Sequence, residues 1–168
     1  MALPDKVETH VRDWLRDERQ DTLTAFVRVI TSSILNPDME MSNSVSVADL
    51  RVPVEALGRQ LSDMAWLPGK ALALVVSPGS FRTLRLSGWK ERVKEAMVEA
   101  PLNDVLVHHL DQTSPTGHGI RYFVVDLPDG RWLADSLVYT KKNGDRAPFA
   151  QHADDFIAAL ASKATAIE

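Results

Sequence analysis

Asn103–Thr140 reads NDVLVHHLDQTSPTGHGIRYFVVDLPDGRWLADSLVYT, and the fold is decided here. Three apolar runs of strand length stand in it: Asp104–Asp111, Ile120–Leu127 and Arg131–Thr140. The last two are joined by Pro128-Asp129-Gly130. Proline presets φ at the first turn position, and glycine at the end accepts φ > 0, so the pair is predicted to be a hairpin. In the first run Val105, Val107 and His109 alternate with Leu106, His108 and Leu110, and both faces are largely apolar. The second run opposes Ile120, Tyr122 and Val124 to Phe123, Val125 and Leu127. Both are predicted to be central strands.

Working outward, Ala71–Ser77 is a continuous apolar run, predicted as a strand buried on both faces. Ser77-Pro78-Gly79-Ser80 turns it into a returning strand, Phe81–Ser87. Trp89, Val93, Ala96 and Met97 fall at helical spacing and predict a helix ending at Pro101. Pro53, Val54, Leu57, Leu61, Met64 and Ala65 predict another, and Phe149–Leu160 a last one after Pro148, with a frayed tail beyond Lys163.

At the N-terminus, Asp5 and Glu8 form a capping-box pattern. Val7, Val11, Trp14 and Leu15 make one apolar stripe; Leu23, Phe26, Val27, Ile30 and Ile34 make a second. One helix or two, with a break near Glu18–Thr22, are expected over residues 5–35. Residues 36–46 carry Asn-Pro, Met39, Met41 and three serines without a period, and are expected to be a mobile loop.

The expectation is therefore a single α+β domain over residues 1–168. It has an N-terminal helical region (1–35) and an α+β core (53–163) with a five-stranded antiparallel sheet, in the order α(α)-ββ-α-βββ-α. In element order alone this is similar to profilin-like and roadblock-like domains and to small acidic secretion chaperones. That resemblance implies a regulatory or adaptor role.

Composition narrows the function. With no cysteine among 168 residues, disulfide scaffolds, thiol nucleophiles and cysteine-ligated metals are excluded. A net charge of −4 argues against a dedicated nucleic-acid binder. No apolar run approaches the ~18 residues of a membrane span, and no signal-peptide pattern opens the chain, so a cytoplasmic protein is expected. No phosphate loop, G-x-S-x-G elbow or other cofactor motif is present, and no cofactor is expected.

Four constellations remain. His109, Asp111 and His118 have the donor types of a divalent-metal site, with His108 facing the other way. Asp126 and Asp135 are expected as near-neighbours across the hairpin ladder, either solvated or bridged by a cation such as Arg131, while Asp129 belongs to the turn. A small-ligand or metal-binding site would draw on His108, His109, His118, Asp126 or Arg85. Arg82, Arg85, Lys90, Arg92 and Lys94 concentrate positive charge between residues 82 and 94, where a phosphate or nucleic acid would be met. Finally, Val11, Trp14, Phe26 and Ile30 would form an apolar partner surface if exposed. The chain is thus expected to be a non-enzymatic interaction protein (an adaptor, dedicated chaperone or inhibitor) binding another protein or a second copy of itself.

Overall fold

A computed structural model describes residues 2–31, 45–66, 68–88 and 90–168. Helix α1 runs Leu3–Arg19 and starts two residues before the expected Asp5 cap. Pro4 sits in the first turn, where a missing N–H costs nothing, and Arg16 and Arg19 suit the negative end of the dipole. Val7, Val11 and Leu15 repeat every four residues and bury one stripe. Gln20 ends the helix in the left-handed region, φ 49°, its N–H returning to the Leu15 carbonyl. The break falls where the charge run predicts it, but among the described residues up to Thr31 no second helix follows. Residues Ala25–Val29 are strand β1, which corrects the reading of 1–35 as wholly helical. Phe26 and Val27 are both buried because opposite faces of this strand are both covered, so the sequence shows no alternation.

Most of the expected 36–46 loop lies outside the described residues. Val45 and Ser46, at its end, are buried. Ser46 and Asp49 form a reciprocal capping box that starts a 3-10 turn, Val47–Leu50, leading into the short α2, Arg51–Ala56. Gly58, at φ 73°, terminates the expected longer helix.

Strands β2 (Leu72–Ser77) and β3 (Ser80–Ser87) form the expected hairpin, and every residue of β2 is buried. The expected helix over 89–101 is instead β4, Arg92–Pro101. Next come β5 (Leu106–Thr113), β6 (Gly119–Asp126), β7 (Trp132–Thr140), α3 (Ala150–Leu160) and β8 (Ala164–Ala166). Gly130 takes φ 88° in the β6–β7 turn, as that turn requires. The tail after Lys163 is not frayed: β8 pairs in parallel with Val107–His109 of β5.

The class is α+β with antiparallel pairing throughout except β5–β8, but among the described residues there are two four-stranded sheets in place of one five-stranded sheet. Their orders are β1-β2-β3-β4 and β7-β6-β5-β8. They join where β1 ends: the Ile30 N–H donates to the Ser136 carbonyl of β7 at 2.8 Å. One large core spans both sheets, α1 and α3, with Phe123 and Phe156 meeting edge to face at 5.6 Å. A smaller core lies on the other face of the second sheet, where Val47, Leu50 and Val54 cover Ile120, Tyr122, Val124, Trp132 and Ala134. Among the described residues no helix is long and apolar enough to cross a membrane.

Candidate functional site

The start of α1, the end of β1, the approach to β2 and the β3–β4 turn converge on an open cleft of about 460 Å³. Leu3, Ile30, Ala71 and Leu86 supply its apolar wall, and Arg28, Lys70 and Glu91 its charges. Leu3 and Ile30 belong to the small set of large apolar side chains that stay exposed, at 40% and 39%. Glu91 lies at the other extreme. Its side chain is 5% exposed and its backbone holds φ 49°, a conformation that costs a non-glycine residue energy. One carboxylate oxygen accepts from Arg28 Nε at 2.8 Å, while Oε2 is buried without a hydrogen-bond partner. Arg28 lies 5.4 Å from the Phe149 ring centroid. Lys70, by contrast, has no ion-pair partner among the described residues.

Leu72 and Arg85 pair across the first sheet and face away from this cleft. With Trp66, Pro68 and Met97 they line a second, smaller one of about 330 Å³. Lys70 stands between the two and lines both.

The partner surface expected from sequence is divided by the fold. Val11 and Phe26 are packed in the core, and Phe26 meets the Phe149 ring edge-on at 6.5 Å. Trp14 is half-buried under Arg19. Of the four, Ile30 alone lines the cleft.

The basic stretch does not form one stripe. Arg82 and Arg85 lie on opposite faces of β3. Arg82 is buried and bound to Asp21 at 2.9 Å and Glu99 at 2.8 Å; Arg85 pairs with Glu95 at 3.0 Å. Lys90 also makes an interaction. Arg92 and Lys94 are exposed on β4.

The histidine–aspartate set does not converge either. Asp111 receives both prongs of Arg121, at 2.7 and 2.8 Å. His118 Nδ1 meets the Thr116 hydroxyl at 2.9 Å. His109 is pushed below the usual histidine value by burial and by Arg121. Among the described residues no group of three or more such side chains is placed to hold a metal ion.

Asp126 and Asp135 are not neighbours. Asp126 pairs with Trp132 and faces the smaller core, whereas Asp135 pairs with Phe123 and faces α3. The cation at Asp126 is Arg59, not Arg131, which instead holds Asp129. His108 Nε2 joins Asp126 at 2.8 Å, and Arg59 stacks on Trp132 at 5.3 Å, pinning the α2 segment to the sheet. Despite its burial, the carboxyl of Asp126 is held below its ordinary value by these two partners.

Asp135 is fully buried at the junction of the sheets, and so are its neighbours Thr31 and Ser136. Its Oδ1 accepts from the Thr31 hydroxyl at 2.7 Å and from the Ser136 N–H at 2.8 Å, while Oδ2 has no partner. The two hydroxyls meet at 2.6 Å. Burial pushes Asp135 up to about 7 against the opposing pull of these bonds and of Arg28.

Sequence reasoning missed Leu3, Arg28, Lys70 and Glu91. In the sequence Asp135 stands between Leu133 and Leu137, on the face that the strand alternation gives to apolar residues. That polar residue in an apolar stripe was the available signal. No protein-family model matches the chain, and no curated protein matches it.

Proposed function

We propose that the chain is a non-enzymatic protein-interaction module that receives a segment of a partner protein at the cleft of Leu3, Ile30 and Lys70. An apolar side chain of the partner lodges against Leu3, Ile30 and Leu86, and an acidic group of the same segment meets Lys70. The observation that carries this reading is the pairing of exposed apolar side chains with a lysine that has no ion-pair partner among the described residues. Interface anchors combine these elements: a pocket that desolvates an apolar group, and a charge that sets orientation. The positive end of α1, which begins at Leu3 on the cleft wall, adds to the preference for an acidic group.

The test is affinity capture from the native host with the full chain, compared with Ile30→Asp and Lys70→Glu variants whose folding is checked by circular dichroism. A stoichiometric protein that is retained by the wild type, binds as the purified pair, and is lost with both folded variants is the expected result. Capture that is indifferent to both substitutions, or a wild type that holds no protein, overturns the reading. A homodimer that both substitutions dissociate would assign the cleft to a second copy of the chain instead.

A further inference from the structure

The junction between the sheets and the cleft share residues. Ile30 gives its N–H to Ser136 across the junction and its side chain to the cleft wall. Arg28 binds Glu91 in the cleft and is the cation that acts on Asp135. Thr31, next in the chain, donates to the Asp135 carboxyl.

We propose that the Thr31–Asp135–Ser136 cluster is a proton-operated latch that holds the end of β1 against β7 and so governs the wall of the cleft. The latch is closed when Asp135 carries a proton and loosens as the proton is given up to solvent. The geometry carries the argument. Oδ1 already accepts two hydrogen bonds, so the proton belongs on Oδ2, the oxygen without a partner. Without that proton, Oδ2 is an anionic oxygen in a fully buried site with no donor from the protein, which is costly to maintain. Opening the end of β1 hydrates it.

The neighbouring charges do not supply a free counter-ion. Arg28 of β1 is committed to Glu91. Arg121 of β6, on the same sheet face, is held by Asp111 and Asp154. On α3, His152 lies 3.4 Å from Glu8, and Asp154 takes Arg121, Arg146 and the Tyr139 hydroxyl. His109 of β5 shares the face of Asp135, with Phe123 between them in the ladder, whereas Asp126 and His108 lie on the opposite face of the second sheet.

The latch stands on its own geometry; its effect on binding rests on the partner reading above. In the open state Asp135 is solvated and has an ordinary carboxyl pKa, whereas in the closed state it is raised. Opening therefore releases a proton between those values. The opening equilibrium rises with pH across that window and levels off above it.

The test is amide hydrogen exchange on the full chain, read residue by residue by NMR and corrected for the intrinsic pH dependence of exchange. The Ile30 amide reports the junction, and the Val75 amide in the middle of β2 serves as reference. In the wild type, protection of Ile30 relative to Val75 is expected to fall by about tenfold per pH unit between pH 5 and 7 and then level. Asp135→Asn removes the titrating group and flattens the profile. Thr31→Val, which keeps the shape but removes one donor to the carboxylate, moves the midpoint upward. A pH-independent wild-type profile overturns the proposal. So does the wild-type slope persisting in Asp135→Asn, or, if that variant does not fold, an Asp135 carboxyl carbon titrating at an ordinary aspartate value. None of these readouts needs a partner, so failure of the partner reading and failure of the latch are separable.

Discussion

Arg121 concentrates more interactions than any other cation in the second sheet. Its guanidinium forks onto Asp111, reaches Asp154 at 2.9 Å and lies 3.9 Å from the Tyr139 ring centroid. The arginine is nearly buried, but Asp111 is 54% exposed, which screens that pair. Asp154 is shared with Arg146 and Tyr139, so it keeps partners when Arg121 is lost. Arg121→Ala is therefore expected to cost about 2 kcal/mol, below the full penalty of breaking a closed buried pair. Urea unfolding of the two proteins measures it, and a cost under about 0.5 kcal/mol would place the network among ordinary surface pairs. Gly119 offers a second prediction at this scale. A Cβ there would lie 2.6 Å from Thr140 Oγ1 and 2.9 Å from Thr140 Cβ. Threonine is stiff at χ1 and cannot swing clear. Gly119→Ala should cost about 1–2 kcal/mol by overpacking. Adding Thr140→Gly should recover part of that loss, and strictly additive losses in the double variant would show that the clash is relieved elsewhere. Asp135 teaches what one residue can reveal. It interrupts the Leu133–Leu137 stripe, so its burial was legible in the sequence. Its partner Thr31 was not, because the contact joins positions 104 residues apart.

At the scale of elements, errors and successes have separate physical causes. The turns of the two predicted hairpins were legible, because proline and glycine constrain φ locally and need no tertiary context. Strand β4 was misread as a helix for a reason visible in its register. Leu84 pairs with Ala96 and Leu86 with Val93, so Val93 and Ala96 share a face although they are three residues apart. Irregularities at Lys94 and Met97 insert the extra residues and convert a period of two into one that imitates a helix. The same irregularities twist a ten-residue strand at the sheet edge, and with Lys94, Glu95 and Glu99 they guard it against pairing with another chain. The other sheet is guarded differently: β8 covers β5 with three residues, continued by Ile167 N–H to the His109 carbonyl at 2.8 Å. Removing residues 164–168 should uncover the β5 edge, where Leu106 is already 47% exposed. We expect a loss of about 1–2 kcal/mol and a rise in aggregation with concentration. Light scattering through a thermal ramp tests this; an unchanged aggregation onset would show that β8 is not a guard.

For the whole molecule, the class was legible and the division into two sheets was not. Binary pattern records burial, and β2, β3 and β6 are largely covered on both faces whichever sheet they belong to; nothing local says that β1 must leave α1 to border β7. The candidate site suffers more from this. Lys70 and Glu91 look like ordinary charged residues in sequence and become a site only where four elements converge. Two sets of carboxyl groups also give the molecule opposing responses to pH. Asp126, Asp154 and Glu99 are held below their ordinary values, chiefly by arginine partners acting against the effect of burial. Their contribution is present above the unfolded carboxyl range and is lost as pH falls through the lowered values. Asp135 has the opposite sign. Raised from 3.8 to about 7, it binds a proton in the folded chain where the unfolded chain has released it, so its contribution is full below about 4 and is lost as pH rises toward 7. The slope from this one group is at most about 1.4 kcal/mol per pH unit. For these four carboxyls the sum is a stability maximum on the acid side of neutrality, with a decline toward pH 7 set by the buried acid and partly offset by His109, which is held below its ordinary value and so adds stability as pH rises toward that value. In Asp135→Asn the acid limb should remain while the decline toward neutrality disappears, moving the maximum upward. Urea midpoints measured from pH 4 to 8 on both proteins decide the matter. If the wild type is most stable at or above pH 7, Asp135 is ionised in the folded chain at neutral pH, and the buried carboxylate must then draw more from Arg28, the Thr31 hydroxyl and the Ser136 N–H than their geometry suggests.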